Sequence, residues 1–238
     1  MKPSRSLAAV FCTGLIIGAA TFRLTRANTW SRSPVSSNSI RRASERSADP
    51  SNRLATERYR LDASQSKFIA HALRGGLLWF KGHDHLVAVR QFTGEAQLDR
   101  SSLAASSLEI TAKTATMEET SSVFTDAQKK IINKELHDIV LLPDQYPDIV
   151  FKSTSVTGKA TGSNQYELEI KGDLRLHGVT RQITIPTRVS TTGNELRAQG
   201  DFSINRSDFS VKATSAVHGL IRVRDKLKFT FDIVGHQL

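Results

Sequence analysis

Hydrophobicity alternates with a period of two across most of the chain from Tyr59 onward, and this pattern restricts the possible folds more than any other feature. Tyr166, Leu168, Ile170, Gly172, Leu174 and Leu176 alternate with Glu167, Glu169, Lys171, Asp173 and Arg175. The same rhythm carries Phe92 to Leu98, Leu108 to Ala112, Ile149 to Phe151, Leu196 to Ile204 and Leu227 to Ile233. Side chains two apart on a strand share a face, so each segment has one apolar and one wet face. Roughly eight or nine such strands with short connections predict an antiparallel sheet. Turn sequences such as "TGKATGSN" and "TTGNE" separate them. Closure into a barrel removes unpaired edges, and a two-sheet sandwich is the alternative. The long strand from Tyr166 to Leu176 favours a tall barrel.

One segment breaks the rhythm. In "FTDAQKKIINKELHDIVL", Ile131, Ile132, Leu136 and Ile139 recur at helical spacing, and Thr125 with Gln128 forms a capping-box pair. Pro143 and Pro147 follow. This predicts one amphipathic helix, folded over a barrel end or against a sheet face.

The 238-residue chain has a formal charge of +10 and a pI near 10.0. The excess is unevenly placed: residues 1–58 carry +7 and the remainder only +3. A nucleic-acid module keeps its basic patch on the folded domain, so nucleic-acid binding is not expected. The leading "MKPSRS" is basic, and Leu7 to Phe22 is an apolar run of 16 residues. A spanning helix needs about 20, so residues 1–27 read as a signal peptide or a membrane anchor. Residues 28–57 are rich in Ser and Arg and nearly free of apolar periodicity. They read as a disordered linker between the leader and a domain at 58–238. Cys12, the only cysteine, falls inside the apolar run, so the domain has no disulfide or thiol chemistry.

Two passages raise questions of chemistry. "GHDH" places His83 and His85 around Asp84. On a strand both rings would share a face and Asp84 would point away, which makes a poor metal site, since zinc needs three or four protein ligands. A polar rim at a barrel end is the plainer reading. "GGLLWF", Gly75 to Phe80, is the most apolar piece outside the alternating strands. It reads as a buried strand or plug, or functionally as a portal or membrane-touching lip. "HGVT", His177 to Thr180, suits a tight turn between strands, and Arg206 with Asp208 suits a salt bridge or a carboxylate-backbone clamp closing another. There is no phosphate loop, Ser-His-Asp order or cysteine nucleophile.

Four blocks carry a resemblance. "YRLDASQSKFIAHALRGG", "ELHDIVLLPDQYPDIVFKSTSV", "IKGDLRLHGVTRQITIP" and "FSINRSDFSV" occur in the order found in the YceI-like family, with Ser210 where that family usually has glycine. The resemblance spans residues 58–236 and looks like a divergent branch at Trp79 to His85. It implies an all-β fold: an extended eight-stranded antiparallel, lipocalin-like barrel with a helix near one end. It also implies a periplasmic or secreted setting and a long isoprenoid or quinone-like lipid held in the barrel. It brings no catalytic residue, no metal and no cofactor.

The expected function is therefore a non-catalytic lipid carrier that meets the membrane surface through its N-terminal segment. Its oligomeric state is open, a homodimer included. The rivals are a metal- or heme-associated enzyme using His83 and His85, and a scaffold partner of a membrane redox complex. Alternation nominates Phe68, Phe92, Leu108, Ile110, Phe151, Leu168, Ile170, Leu174, Phe202, Phe229 and Phe231 as lining residues. His83 and His85 are nominated at the head-group end.

Overall fold

The alternating segments form strands β1 (Thr56–Gly75), β2 (His85–Val89), β3 (Phe92–Asp99), β4 (Ser107–Lys113), β5 (Met117–Glu119), β6 (Asp148–Gly162), β7 (Gln165–Leu176), β8 (Val179–Thr192), β9 (Glu195–Asn205), β10 (Ser215–Ala216) and β11 (Ile221–Gln237). One helix, α1 (Asp126–Glu135), lies between β5 and β6. This computed structural model describes residues 56–216 and 221–238, all within the compact unit Ala48–Leu238. The expected leader at 1–27 lies outside the described residues. So does the expected linker at 28–57, apart from Thr56 and Glu57, which open β1.

Eight strands close a wall in the order β1-β3-β4-β6-β7-β8-β9-β11 and back to β1, every pairing antiparallel. Closure is made by the first and last strands, from Tyr59↔Gln237 to Gly75↔Arg222. "YRLD" and "KFIAHAL", which the sequence presents as two short strands, are one strand of 20 residues with a register shift between Asp62 and Lys67. Asp62 holds that bulge by accepting from the Ser64 N–H at 2.8 Å and from Gln65 Nε2 at 2.9 Å.

The wall divides toward one end. The first half of β1 pairs with β3, from Thr56↔Asp99 to Arg60↔Glu95. Its second half pairs with β2, from Ile69↔Ala88 to Ala72↔His85. β2 in turn pairs with β5. The outer edge of β5 would be open, but α1 covers it. The Glu119 N–H donates to Asn133 Oδ1 at 2.8 Å, and His137 Nε2 donates to the Met117 carbonyl at 2.9 Å. Side chains of the helix region thus satisfy a strand edge. The Thr125–Gln128 capping box starts α1 as the sequence predicts.

Only part of the expected helical stripe turns inward. Ile132 and Leu136 are half-buried, whereas Ile131 and Ile139 are exposed. After Glu135 the chain widens into a π-helical turn, Leu136–Leu141, which ends at Leu142 with φ of 49°. The wider turn breaks the 3.6-residue spacing that would have carried Ile139 to the inner face.

Two glycines on the inner face mark close approaches. A Cβ on Gly172 would sit 2.6 Å from Phe151 Cζ, and one on Gly200 would sit 2.7 Å from Phe231 Cζ. Each phenylalanine ring lies against a glycine of the neighbouring strand, which lets the wall curve tightly. At the β7–β8 turn, His177 and Gly178 both have positive φ, 52° and 76°. This is the primed turn that suits hairpin twist.

The two ends of the barrel differ. The base, where β1 begins, is closed by Tyr59, Leu98, Tyr166, Val189 and Leu196, all buried in one core cluster. At its rim Asp99 accepts from the Ser101 N–H at 2.9 Å, the Ser102 N–H at 2.8 Å and Thr56 Oγ1 at 2.7 Å. The mouth, where β1 ends, carries the 76–84 loop, α1, the His177–Gly178 turn and the 206–214 segment.

Two predictions follow from local chemistry. Ser210 occupies the left-handed region at φ of 56°, a conformation that glycine adopts at less cost than serine. Ser210→Gly should raise stability by about 0.5–1 kcal/mol, the relief of left-handed strain less the cost of glycine's unfolded freedom. A lower denaturation midpoint would show that the serine is not strained. The second concerns acid. Hydrogen bonds from the Ser101 side chain, Thr56 and Ser102 hold Asp99 at about 2, below an ordinary aspartate. A depressed carboxylate contributes stability above its unfolded value near 3.9, and that contribution is lost as pH falls through the folded value. Asp99→Asn should therefore be less stable at neutral pH and lose stability less steeply between about pH 4 and pH 2. Parallel acid titrations of parent and variant would refute this if their slopes matched.

Candidate ligand-binding site: the barrel lumen and its mouth

The apolar faces of the wall strands do not fill the interior. Two adjoining cavities run along it, one of about 130 Å³ toward the base and one of about 360 Å³ toward the mouth. Phe68, Ala112, Ile149, Leu174 and Phe202 line both, so they form the waist between them. Aromatic contacts organise this waist. Phe202 stacks on Phe229 at 4.9 Å, while Phe68 meets the edges of Phe229 at 6.2 Å and Phe231 at 6.4 Å. Offset and edge-on pairs of this kind hold rings in fixed orientations. Pockets that take small molecules usually measure about 300–1,000 Å³ and are mostly apolar with few polar groups.

Ten of the eleven apolar residues nominated from alternation line the cavities. Leu108, Ile110, Phe151, Leu168, Ile170 and Phe231 face the base chamber. Phe68, Leu174 and Phe202 face both, and Phe229 faces the mouth chamber. Phe92 lines neither chamber. It is buried in a core cluster with Val87, Val89, Ala112 and Met117, and these four, not Phe92, line the mouth chamber. Alternation alone gives a face and cannot tell lumen from packed layer.

The histidines stand at the mouth. β2 begins only at His85, so His83 and Asp84 precede the strand and strand alternation does not govern them. Both rings reach Phe124, His85 stacked at 5.2 Å and His83 edge-on at 5.6 Å. Both line the mouth chamber. Asp84 is turned away and accepts from the Arg74 N–H at 2.8 Å. The partner that sequence reading missed is Glu119, whose side chain is fully buried. It takes His85 Nδ1 at 2.8 Å, the Leu86 N–H at 3.1 Å and the Ser121 N–H at 2.7 Å. Burial pushes its carboxyl up, but the hydrogen bonds from His85, Ser121 and Leu86 outweigh this and hold it below its ordinary value. Glu119 ties β2, β5 and the approach to α1 together while fixing the His85 ring. A three-residue strand is too short for its alternation to reveal this. Among the described residues, no group of three His, Cys, Asp or Glu side chains is placed to hold a metal ion.

Other expectations resolve differently. "GGLLWF" is not a buried strand. Its residues form the end of β1, a turn and a short 3₁₀ turn at Trp79–Lys81, with Leu77 and Phe80 exposed. Arg206 does not pair with Asp208. It donates to the Val211 carbonyl at 2.9 Å and faces Asp225 at 3.9 Å, while Asp208 receives Asn205 Nδ2 at 3.3 Å. Arg206 also lines the mouth chamber, with Arg74, Lys212 and Arg222. The His177 ring tilts against Tyr146 at 4.1 Å, and burial followed by the nearby Lys212 charge pushes its pKa down.

Known proteins share this architecture. The chain is similar to BcnA of Burkholderia cenocepacia, at 21% identity and a TM-score of 0.57 over 73% of this chain and 98% of that one. A polyisoprenoid binding domain from Saccharophagus degradans gives 12% identity and a TM-score of 0.55 over 76% of this chain and 98% of that one. Among curated relatives, a UPF0312 protein of Vibrio parahaemolyticus is 31% identical over 104 residues, 44% of this chain and 49% of its own length. A UPF0312 protein of Pseudomonas savastanoi is 31% identical over 132 residues, 52% of this chain and 62% of its own. The chain thus spans about half the length of the first curated relatives it matches. The model of the YceI-like domain matches residues 59–235, from the closing strand to the last, and the chain belongs to the YceI-like family.

Proposed function

We propose that this protein is a non-catalytic carrier that holds a long apolar chain, of isoprenoid or quinone-like type, in the barrel lumen. The observation that carries the reading is the unfilled, aromatic-waisted interior, lined mostly by apolar side chains, with the charged ones confined to the mouth chamber beyond Phe202 and Phe229. A related fold described as a polyisoprenoid binding domain supports the chemical class. His83 and His85, fixed against Phe124 and Glu119, would meet a polar head group such as a quinone carbonyl. A periplasmic or secreted location, with the N-terminal segment reaching the membrane surface, belongs to the same proposal. It rests on the basic start and the apolar run of the leader.

The first test is mass spectrometry of organic extracts from the purified full chain. The parent should yield a long-chain lipid, and Leu174→Trp at the waist should yield less while its far-UV strand signal persists. If the parent yields none and the variant loses about 1–3 kcal/mol of stability, as overpacking of a filled core does, the lumen is ordinary core and the proposal fails.

The second test separates this reading from a metal- or heme-associated enzyme. His83→Ala/His85→Ala should bind less lipid and stay folded, with about 1–3 kcal/mol lost because buried Glu119 is left short of a donor. Zinc, copper, iron and heme should be absent from the parent. A stoichiometric metal in the parent that disappears from the double variant would overturn the carrier reading.

A further inference from the structure

Exposed apolar side chains are distributed unevenly over the barrel. Among the described residues, six of the seven large ones stand at the mouth end: Leu73, Leu77, Phe80, Val123, Ile131 and Ile139. Leu77 is 76% exposed, Phe80 60%, Val123 58% and Ile131 64%. They come from three separate segments that meet around one opening. Phe80 lies in the 76–84 loop, which leads through His83 to His85 at the start of β2, both on the chamber lining. Val123 precedes Phe124, which stacks on His85. Ile131 precedes Ile132, which lines the chamber from α1. Scattered exposed apolar residues are normal, whereas a cluster round the mouth of an apolar cavity marks a surface that something covers.

Charge indicates what covers it. Lys81 sits in the loop itself and Lys130 beside Ile131, and Lys212 and Arg222 stand on the chamber rim. None of these four has an ion-pair partner among the described residues. Of the nearby acids, Asp84 is engaged by Arg74 and Asp225 by Ser207 with Arg206. Glu135 on the chamber lining and Asp126 at the start of α1 are outnumbered by the four cations together with Arg74 and Arg206 on the same lining. Apolar tips among unpaired cations match a bilayer interface, where apolar side chains enter the head-group region and cations meet lipid phosphates.

We infer that the mouth of the barrel docks on the surface of an anionic lipid bilayer. Leu77, Phe80, Val123 and Ile131 enter the head-group layer, and Lys81, Lys130, Lys212 and Arg222 lie over the phosphates. The lumen opens onto the bilayer at that face, so a chain passes between membrane and barrel without crossing water. The inference rests on the carrier reading for its purpose. The geometry of docking is tested separately.

The test places an environment-sensitive fluorophore on one cysteine of the full chain in a Cys12→Ser background. One label is at Leu77→Cys, at the mouth, and the other at Asn194→Cys, in the β8–β9 turn at the base. Vesicles are pure phosphatidylcholine, or phosphatidylcholine and phosphatidylglycerol in equal parts. The label at position 77 should shift to the blue with phosphatidylglycerol vesicles, and the label at 194 should not move. Raising salt should weaken the response, because the screening length falls from about 8 Å at 0.15 M to about 3 Å at 1 M. Lys81→Glu/Lys130→Glu should weaken apparent vesicle affinity by at least roughly fivefold per residue. Equal shifts at both ends would mean that the leader alone brings the chain to the membrane, and no shift at 77 would mean that the mouth does not dock. A shift at 77 on raising protein concentration without vesicles would give the face to a second copy. Each of these three results overturns the inference. Docking with no lipid ever recovered from the lumen would sink the carrier reading alone, and lipid in the lumen with no shift at 77 would sink docking alone.

Discussion

The pairing of β1 with β11 is the interaction on which the rest of the structure depends. It runs from Tyr59↔Gln237 to Gly75↔Arg222 and joins the two ends of the domain sequence. Without it the wall would be an open sheet with two unpaired edges and one apolar face in water. With it, every inward side chain shares one enclosed space. The contact is also the longest-range in sequence, so loop-closure entropy must be met before it forms. Its register shifts, at Asp62/Lys67 and Ala72/Arg74, absorb the mismatch between a long strand and a curved wall.

Closure produces an interior, and curvature determines whether that interior is core or cavity. Gly172 under Phe151 and Gly200 under Phe231 let neighbouring strands bend while the ring covers the missing side chain. Aromatic side chains from β1, β9 and β11 then meet at the waist and hold one another. Phe202 faces Phe229 and Phe68 faces Phe231 on neighbouring strands, so the rings hold one another along one side of the lumen, and space remains above and below them. A core of small aliphatic side chains would have to collapse inward to recover the same contacts.

The architecture was legible because period two is a property of each strand by itself. Tyr166 to Leu176 alternates without a break in the sequence, and in the structure its burial alternates without a break. The capping box was legible for the same reason, since both partners lie within one turn. What escaped depends on more than one segment. Phe92 carries the right period, but Val87 and Val89 of β2 and Met117 of β5 pack with it and line the mouth chamber in its place. Glu119 matters through His85, 34 residues away in sequence, and three residues of strand give no rhythm to notice. Arg206 finds Asp225 rather than its neighbour Asp208, because β11 returns beside the turn after β9. "GGLLWF" has the composition of a buried strand and the position of a loop. Leu77 and Phe80 are left in solvent because β1 ends at Gly75, before them.

Under the proposed carrier function, the difference between the two barrel ends connects fold to transport. An apolar chain inside a bilayer is already out of water, so moving it into an apolar lumen gains little hydrophobic free energy. Exposing it on the way would cost about 0.8 kcal/mol for each methylene wetted. For a chain of many methylenes that cost exceeds the stability of most folded domains, roughly 5–15 kcal/mol. A carrier therefore needs no deep affinity for the chain, but it does need an opening that seals against the membrane. Here the base is shut by fully buried Tyr59 and the Asp99 turn, which give a chain no exit. The mouth is bordered by loops and a short helix whose apolar tips face outward. Residues that look like errors for a soluble barrel, Leu77 and Ile131 in water and Lys81, Lys130, Lys212 and Arg222 without an ion pair among the described residues, stand where such a seal would have to be made.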